Sequence, residues 1–135
     1  MVIKIDHIGV LTKDLEAAVK KYESLLGIEL DKIEEVKVED AMNRIAFLPV
    51  KETKIELIQT TANTGMVADF IREHGEAIHH IAFRVDDLQV VFDQLRSRGV
   101  HFLWDSVIAG AQGSKVAFFK PEEFNGIYIE LVEKH

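Results

Sequence analysis

Residues Asp6 to Ile28, DHIGVLTKDLEAAVKKYESLLGI, return in altered form as residues His79 to Val100, HHIAFRVDDLQVVFDQLRSRGV. At an offset of 73, His7 falls on His80, Ile8 on Ile81, Asp14 on Asp87 and Leu15 on Leu88; one residue is dropped before Gly27 meets Gly99. Further on, NRIAFLP at 43–49 echoes SKVAFFKP at 114–121, and KIELIQ at 54–59 echoes YIELVE at 128–133, which sets Glu56 on Glu130. The order of the matched segments is preserved. A repeat of this kind restricts the chain to folds built from two copies of one supersecondary unit.

Each copy reads the same way. IKIDHIGV alternates as a strand, and Asp14 then caps a helix whose Leu15, Ala18, Val19, Tyr22, Leu25 and Leu26 share one face, with Gly27 as the stop. The second copy offers Asp86 or Asp87 as the cap, Leu88, Val91, Phe92 and Leu95 as the face, and Gly99 as the end. Three strand-like runs follow each helix, at 28–38, 44–49 and 54–59, then at 100–107, 114–119 and 127–133. Between the copies, TTANTGMVADFIREHGE predicts a short connecting helix with Val67, Phe70 and Ile71 inward and Gly75 closing it. The expectation is an α+β chain of two tandem βαβββ modules in a single domain, 1–135. Repeat 1 covers about 1–59, the connector about 60–77 and repeat 2 about 78–135.

The repeat also decides between two adjacent histidines. Side chains of a strand alternate between faces, so His79 and His80 point to opposite sides, and at most one of them joins a given site. His80 is the equivalent of His7 and shares a face with Ala82 and Arg84; Ile81, Phe83 and Val85 form the face that packs on a helix. Glu56 lies between Ile55 and Leu57, and Glu130 between Ile129 and Leu131, so each carboxylate projects away from its apolar neighbours. His7, Glu56, His80 and Glu130 thus form two equivalent pairs. A carboxylate buried in a common cleft requires a cation or a proton to offset its desolvation. Two imidazoles and two carboxylates suit one divalent ion, Co²⁺, Ni²⁺, Mn²⁺ or Zn²⁺, with positions left for water or substrate. His74, His101 and His135 lack this duplication and are expected to stand apart from the site.

Composition narrows the remaining classes. With no cysteine there is no disulfide framework, thiolate nucleophile or thiolate metal site. A net charge of −7 argues against broad binding to nucleic acid or to an anionic membrane surface. No apolar run approaches the roughly 20 residues needed to cross a bilayer, and MVIKIDHIGV lacks the form of a signal peptide, so the cytoplasm is the expected compartment.

The paired βαβββ halves, each with a first-strand histidine and a last-strand glutamate, resemble the vicinal oxygen chelate superfamily. DHIGV, TKIELIQ, IHHIAFRVDDL, GAQGSKVAFFKP and NGIYIELVE resemble its methylmalonyl-CoA epimerase family, over nearly the whole chain. The resemblance implies a cupped, metal-binding sheet, one divalent metal ion per chain, a homodimer and an acyl-CoA substrate. It also implies epimerisation of methylmalonyl-CoA by α-proton transfer through a metal-stabilised enolate, with Glu130 as both ligand and catalytic base. A glyoxalase I-type lactoylglutathione lyase and a non-catalytic small-molecule-binding protein are the alternatives within the same superfamily.

One position departs from the family pattern. The second base proposed in some members falls on Arg44, and a guanidinium is a poor base at neutral pH. Glu39 and Asp40, in the preceding VEDAMN, stand as substitutes. Arg44 itself lies opposite Lys115 in the repeat. If both face the cleft, they are candidates to hold a carboxylate or phosphate of an acyl-CoA. AGAQGS at 109–114 matches no complete phosphate-binding motif and reads as a plain loop.

Overall fold

The computed structural model describes residues 1–38 and 40–134. The first module runs β1 (Val2–Leu11), α1 (Leu15–Leu26), β2 (Lys32–Val38), β3 (Ala41–Val50) and β4 (Thr53–Thr60). The connecting helix α2 (Met66–His74) follows, and the second module runs β5 (Ile78–Val85), α3 (Leu88–Ser97), β6 (Ile108–Ala109), β7 (Lys115–Phe118) and β8 (Tyr128–Glu133). Short 3₁₀ turns at Ala111–Gly113 and Pro121–Phe124 flank β7. The α+β order βαβββ is therefore present twice. No helix among the described residues is long and apolar enough to cross a membrane.

Both module helices start in the same manner. Asp14 Oδ1 accepts the backbone N–H of Ala17 at 3.1 Å and Asp87 Oδ1 that of Val90 at 3.2 Å, each satisfying a donor that the first turn leaves without a partner in the helix. Gly27 ends α1 at φ 68°, a left-handed geometry that costs glycine no Cβ clash, and its N–H returns to the Glu23 carbonyl.

Two units divide the chain, His7–His79 and Met1–Asp6 with His80–His135, so β1 contributes to both. In the first unit the order is β2-β3-β4-β1, with β1 and β4 parallel and the other pairs antiparallel. The core of this unit places Leu15 and Val19 of α1 against Ala46, Leu48 and Leu57. In the second unit β5 and β8 are parallel, followed by β7 and β6. Here Leu88, Val91 and Phe92 of α3 pack on Val85, Ala117, Ile129 and Leu131. Truncating one of these fully buried leucines to alanine costs about 2–5 kcal/mol.

The expected strand at 100–107 is replaced by an irregular segment. Phe102 forms a lone bridge to Phe119, the Leu103 N–H reaches the Phe118 carbonyl at 2.8 Å, and Arg96 Nη1 donates to the Asp105 carbonyl at 2.7 Å. A regular strand would have used the Asp105 carbonyl in a ladder; here the end of α3 takes it. Regular pairing begins only at β6, with Ile108 opposite Val116 and Ala109 opposite Lys115.

Candidate active site

In the first unit the faces of the sheet are fixed by α1. Val10 of β1 and Ile55 and Leu57 of β4 pack toward it, so by alternation His7 and Glu56 project to the opposite face. Gly9 lies directly across the ladder from Glu56. With no side chain there, His7, two residues earlier on the same face, reaches the carboxylate: Nδ1 stands 3.0 Å from Glu56 Oε2, and both residues are 4% exposed.

The second unit repeats the arrangement. Ile81, Phe83, Ile129 and Leu131 pack toward α3, leaving His80 and Glu130 on the other face. Ala82 lies across from Glu130, occupying the place that Gly9 holds in the first unit. His80 Nε2 stands 3.1 Å from Glu130 Oε2, with both residues about 5% exposed. His7 thus turns Nδ1 to its glutamate and His80 turns Nε2.

Each pair fits a divalent ion. Nitrogen and oxygen ligands at about 2.0–2.2 Å from one metal, roughly at right angles, lie about 3 Å apart. The observed separations of 3.0 and 3.1 Å match that spacing. A buried imidazole–carboxylate contact has a second chemical capacity, since the carboxylate can share or take a proton that the imidazole helps to hold.

Phenylalanines flank both pairs, and the motif reading overlooked them. Phe47 is the cross-strand partner of Glu56, and Phe118 that of Glu130. The Phe118 ring meets His80 edge-on at 5.1 Å and is itself met by Trp104 at 5.7 Å. Such rings keep water from the carboxylates and sharpen their electrostatics. The signal was present in the echo of AFLP and AFFKP, where these two residues coincide.

His79, on the opposite face of β5 from His80, is buried edge-on against Phe70 of α2 at 4.9 Å. The other candidates are placed differently from expectation. Arg44 shares its face with Ala46 and Leu48, which is the face toward α1, and its Nη2 donates to Glu16 Oε1 of that helix at 2.6 Å. That bond holds the Glu16 carboxyl below the usual glutamate range. Lys115 shares its face with Ala117, on the side of α3, and its Nζ lies 3.9 Å from Glu133 Oε2. Neither basic residue joins the histidine–glutamate face of its unit. Of the substitute bases, Asp40 is exposed at the turn into β3, and Glu39 lies outside the described residues.

The sequence profile of the Glyoxalase/Bleomycin resistance protein/Dioxygenase superfamily matches residues 6–118. The chain belongs to this superfamily. Its fold is accordingly the vicinal oxygen chelate fold. Ethylmalonyl-CoA/methylmalonyl-CoA epimerase of Cereibacter sphaeroides is 31% identical over 97% of this chain and 98% of its own length. Among solved structures, a hypothetical protein from Bacillus halodurans superposes with a TM-score of 0.90 at 32% identity, covering 98% of this chain and 94% of that one. A methylmalonyl-CoA epimerase in complex with methylmalonyl-CoA and NH4+ superposes with a TM-score of 0.89 at 28% identity, covering 99% of this chain and 96% of the other. The two relatives named as epimerases are isomerases, and the chain is similar to them over 97% and 99% of its length.

Proposed function

We propose that this chain epimerises methylmalonyl-CoA. The observation that carries the reading is the duplicated buried histidine–glutamate pair on a chain that aligns end to end with epimerases. His7, Glu56, His80 and Glu130 together would hold one divalent cation. When bound, that ion supplies Lewis-acid stabilisation of the negative charge that develops as the proton leaves.

Glu130 takes the α-proton. The C–H bond breaks, its electron pair delocalises into the thioester carbonyl, and the proton passes to the Glu130 carboxylate. Phe118 covers that carboxylate and slows exchange of the proton with water. Return of a proton to the opposite face of the α-carbon completes the inversion, and Asp40 is the candidate donor, on a short surface turn beside β3. The 3.1 Å and 3.0 Å separations set His80 beside Glu130 and His7 beside Glu56 as neighbouring ligands for that ion.

The same reading includes a homodimer in the cytoplasm. Support for the dimer comes from the exposed apolar residues Val2, Ile3 and Ile5 of β1 and Phe124 and Ile127, which a monomer would leave in water. The deciding experiment incubates metal-loaded protein with methylmalonyl-CoA in deuterated water. Deuterium at the α-carbon is expected. Its absence, together with turnover of the methylglyoxal–glutathione hemithioacetal, would replace the epimerase by a glyoxalase-type lyase.

A further inference from the structure

A pocket of about 240 Å³ opens at the start of α2, wholly within the first unit. Val38, Asp40 and Asn43 line it from the β2–β3 side, and Ala62, Gly65 and Val67 from the helix side. Pockets that enclose a whole small molecule run from roughly 300 to 1,000 Å³, so this one is sized for a segment of a ligand.

Asn43 is 4% exposed, and its Oδ1 has no hydrogen-bond partner among the described residues. Buried side-chain oxygens are nearly always paired, so an orphan of this kind requires an explanation. Asn43 alternates with Ile45 and Phe47, and Phe47 is the ladder partner of Glu56. Asn43 therefore lies on the histidine–glutamate face of the first unit, four residues before the rung that carries Glu56. Because Asn43 lines the pocket, a turn of its carboxamide about χ2 brings Oδ1 to the cavity.

The opposite wall offers donors. Helix α2 starts without a side-chain cap, and its N-cap, Gly65, holds φ 107°, a geometry that glycine adopts without a Cβ penalty. The N–H groups of Met66 and Val67 have no acceptor within the helix and carry the positive end of its dipole. Asp69, the acidic residue of the first turn, is paired with Arg72 instead. The two walls thus require different things: the helix N–H groups need an acceptor, and Asn43 Oδ1 needs a donor. An oxyanion supplies acceptors alone and would face both Oδ1 and the Asp40 carboxylate. A secondary amide supplies one donor and one acceptor.

We propose that this pocket binds a secondary amide of the ligand. Its carbonyl accepts from the N–H groups of Met66 and Val67, its N–H donates to Asn43 Oδ1, and Val38, Ala62 and Val67 meet the flanking methylenes. On the epimerase reading, on which the identity of the ligand rests, the amide belongs to the pantetheine arm that joins the thioester to the nucleotide.

Titration of the full chain with S-methylpantetheine, followed through its amide signals by NMR, tests this. The probe keeps both amides of the arm and has no acyl group, phosphate or free thiol. It is expected to shift the backbone signals of Gly65, Met66 and Val67 and the side-chain signals of Asn43, and to bind Asn43→Leu and Ala62→Leu at least tenfold more weakly. Inorganic phosphate that moves the same signals while the amide probe does not would overturn the assignment to an amide. Shifts from neither probe, or variants within twofold of the wild type, would leave the pocket to water and overturn the site. Thermal unfolding separates binding from packing. Asn43→Leu without ligand should match or exceed the wild-type Tm, because it removes an unpaired buried oxygen at similar volume. A Tm several degrees lower, with affinity for the probe unchanged, would make Asn43 a structural residue and defeat the proposal. Probe binding needs no turnover, so failure of the epimerase reading registers separately, as absent deuterium exchange in a wild type that still binds the probe.

Discussion

The side-chain carbonyl of Gln59 accepts the backbone N–H of Leu15, the first residue of α1, at 2.9 Å. The second module makes the same bond with a different residue: Glu133 Oε1 accepts the N–H of Leu88, the first residue of α3, at 2.8 Å. Gln59 lies three residues past Glu56 and Glu133 three past Glu130, each on the helix side of its strand. Both modules thereby tie the strand that carries a buried glutamate to the start of its own helix. Gln59→Ala and Glu133→Ala should each destabilise the protein by about 1–3 kcal/mol, because a buried N–H is left without an acceptor. Glu133→Gln should cost far less, since glutamine already does this work at 59. Urea unfolding midpoints measure the difference.

Metal content separates the two adjacent histidines. His80→Ala is expected to lose most bound cobalt or zinc by elemental analysis after dialysis, whereas His79→Ala should retain it and lose stability through its contact with Phe70. Retention in the first and loss in the second would exchange their roles.

Glu130→Gln keeps the size and one oxygen donor but removes the charge and basicity. At confirmed full metal occupancy, α-deuterium exchange should fall by a factor of 10² or more, in the range typical of a lost general base. His7→Ala should instead recover part of its activity in excess metal, by mass action. Exchange by fully loaded Glu130→Gln at the wild-type rate would confine Glu130 to ligation and direct the search for the base to Asp40 and Glu39.

Acid sensitivity should change at Glu76. Its Oε1 accepts the backbone N–H of Lys13 at 2.7 Å and the Thr12 hydroxyl at 3.2 Å, and the Lys13 bond, followed by the Thr12 bond, holds its carboxyl below the ordinary glutamate value. A lowered folded-state value means that the contribution is complete above the unfolded glutamate pKa of about 4.3 and is lost as pH falls through the folded one. Glu76→Gln should therefore lower Tm slightly at pH 7 and flatten the fall in Tm below pH 4.5. Parallel Tm curves for variant and wild type would show that Glu76 contributes nothing to the acid transition.

Much of the candidate site was legible because the repeat supplied a register that alternation alone lacks. His7 and His80 could be matched, and each glutamate sat between two residues that had to face a helix. Arg44 and Lys115 were misread for a specific reason. Ile45, Ala46, Phe47 and Leu48 are all buried, so β3 is apolar on both faces and its alternation carries no sign of which side meets α1. Ala46 is the small residue that admits the helix, and Arg44, two residues earlier on the same face, goes with it. The irregular course of 100–107 was invisible for another reason: the competitor for its ladder is Arg96, at the far end of α3. Asp6 escaped notice because its partners, Arg84 and Lys134, are 78 and 128 residues away.

The division of β1 limits how the molecule can be cut. A break near residue 78 looks natural from the repeat, yet it would send Met1–Asp6 away with the wrong fragment. The second fragment would keep Arg84 and Lys134 while losing the carboxylate they surround, and would have to fold around two opposed cations. The duplicated halves are therefore not separable modules but strand-sharing ones, and a fragment that begins near residue 78 should need Met1–Asp6 restored to it in order to fold.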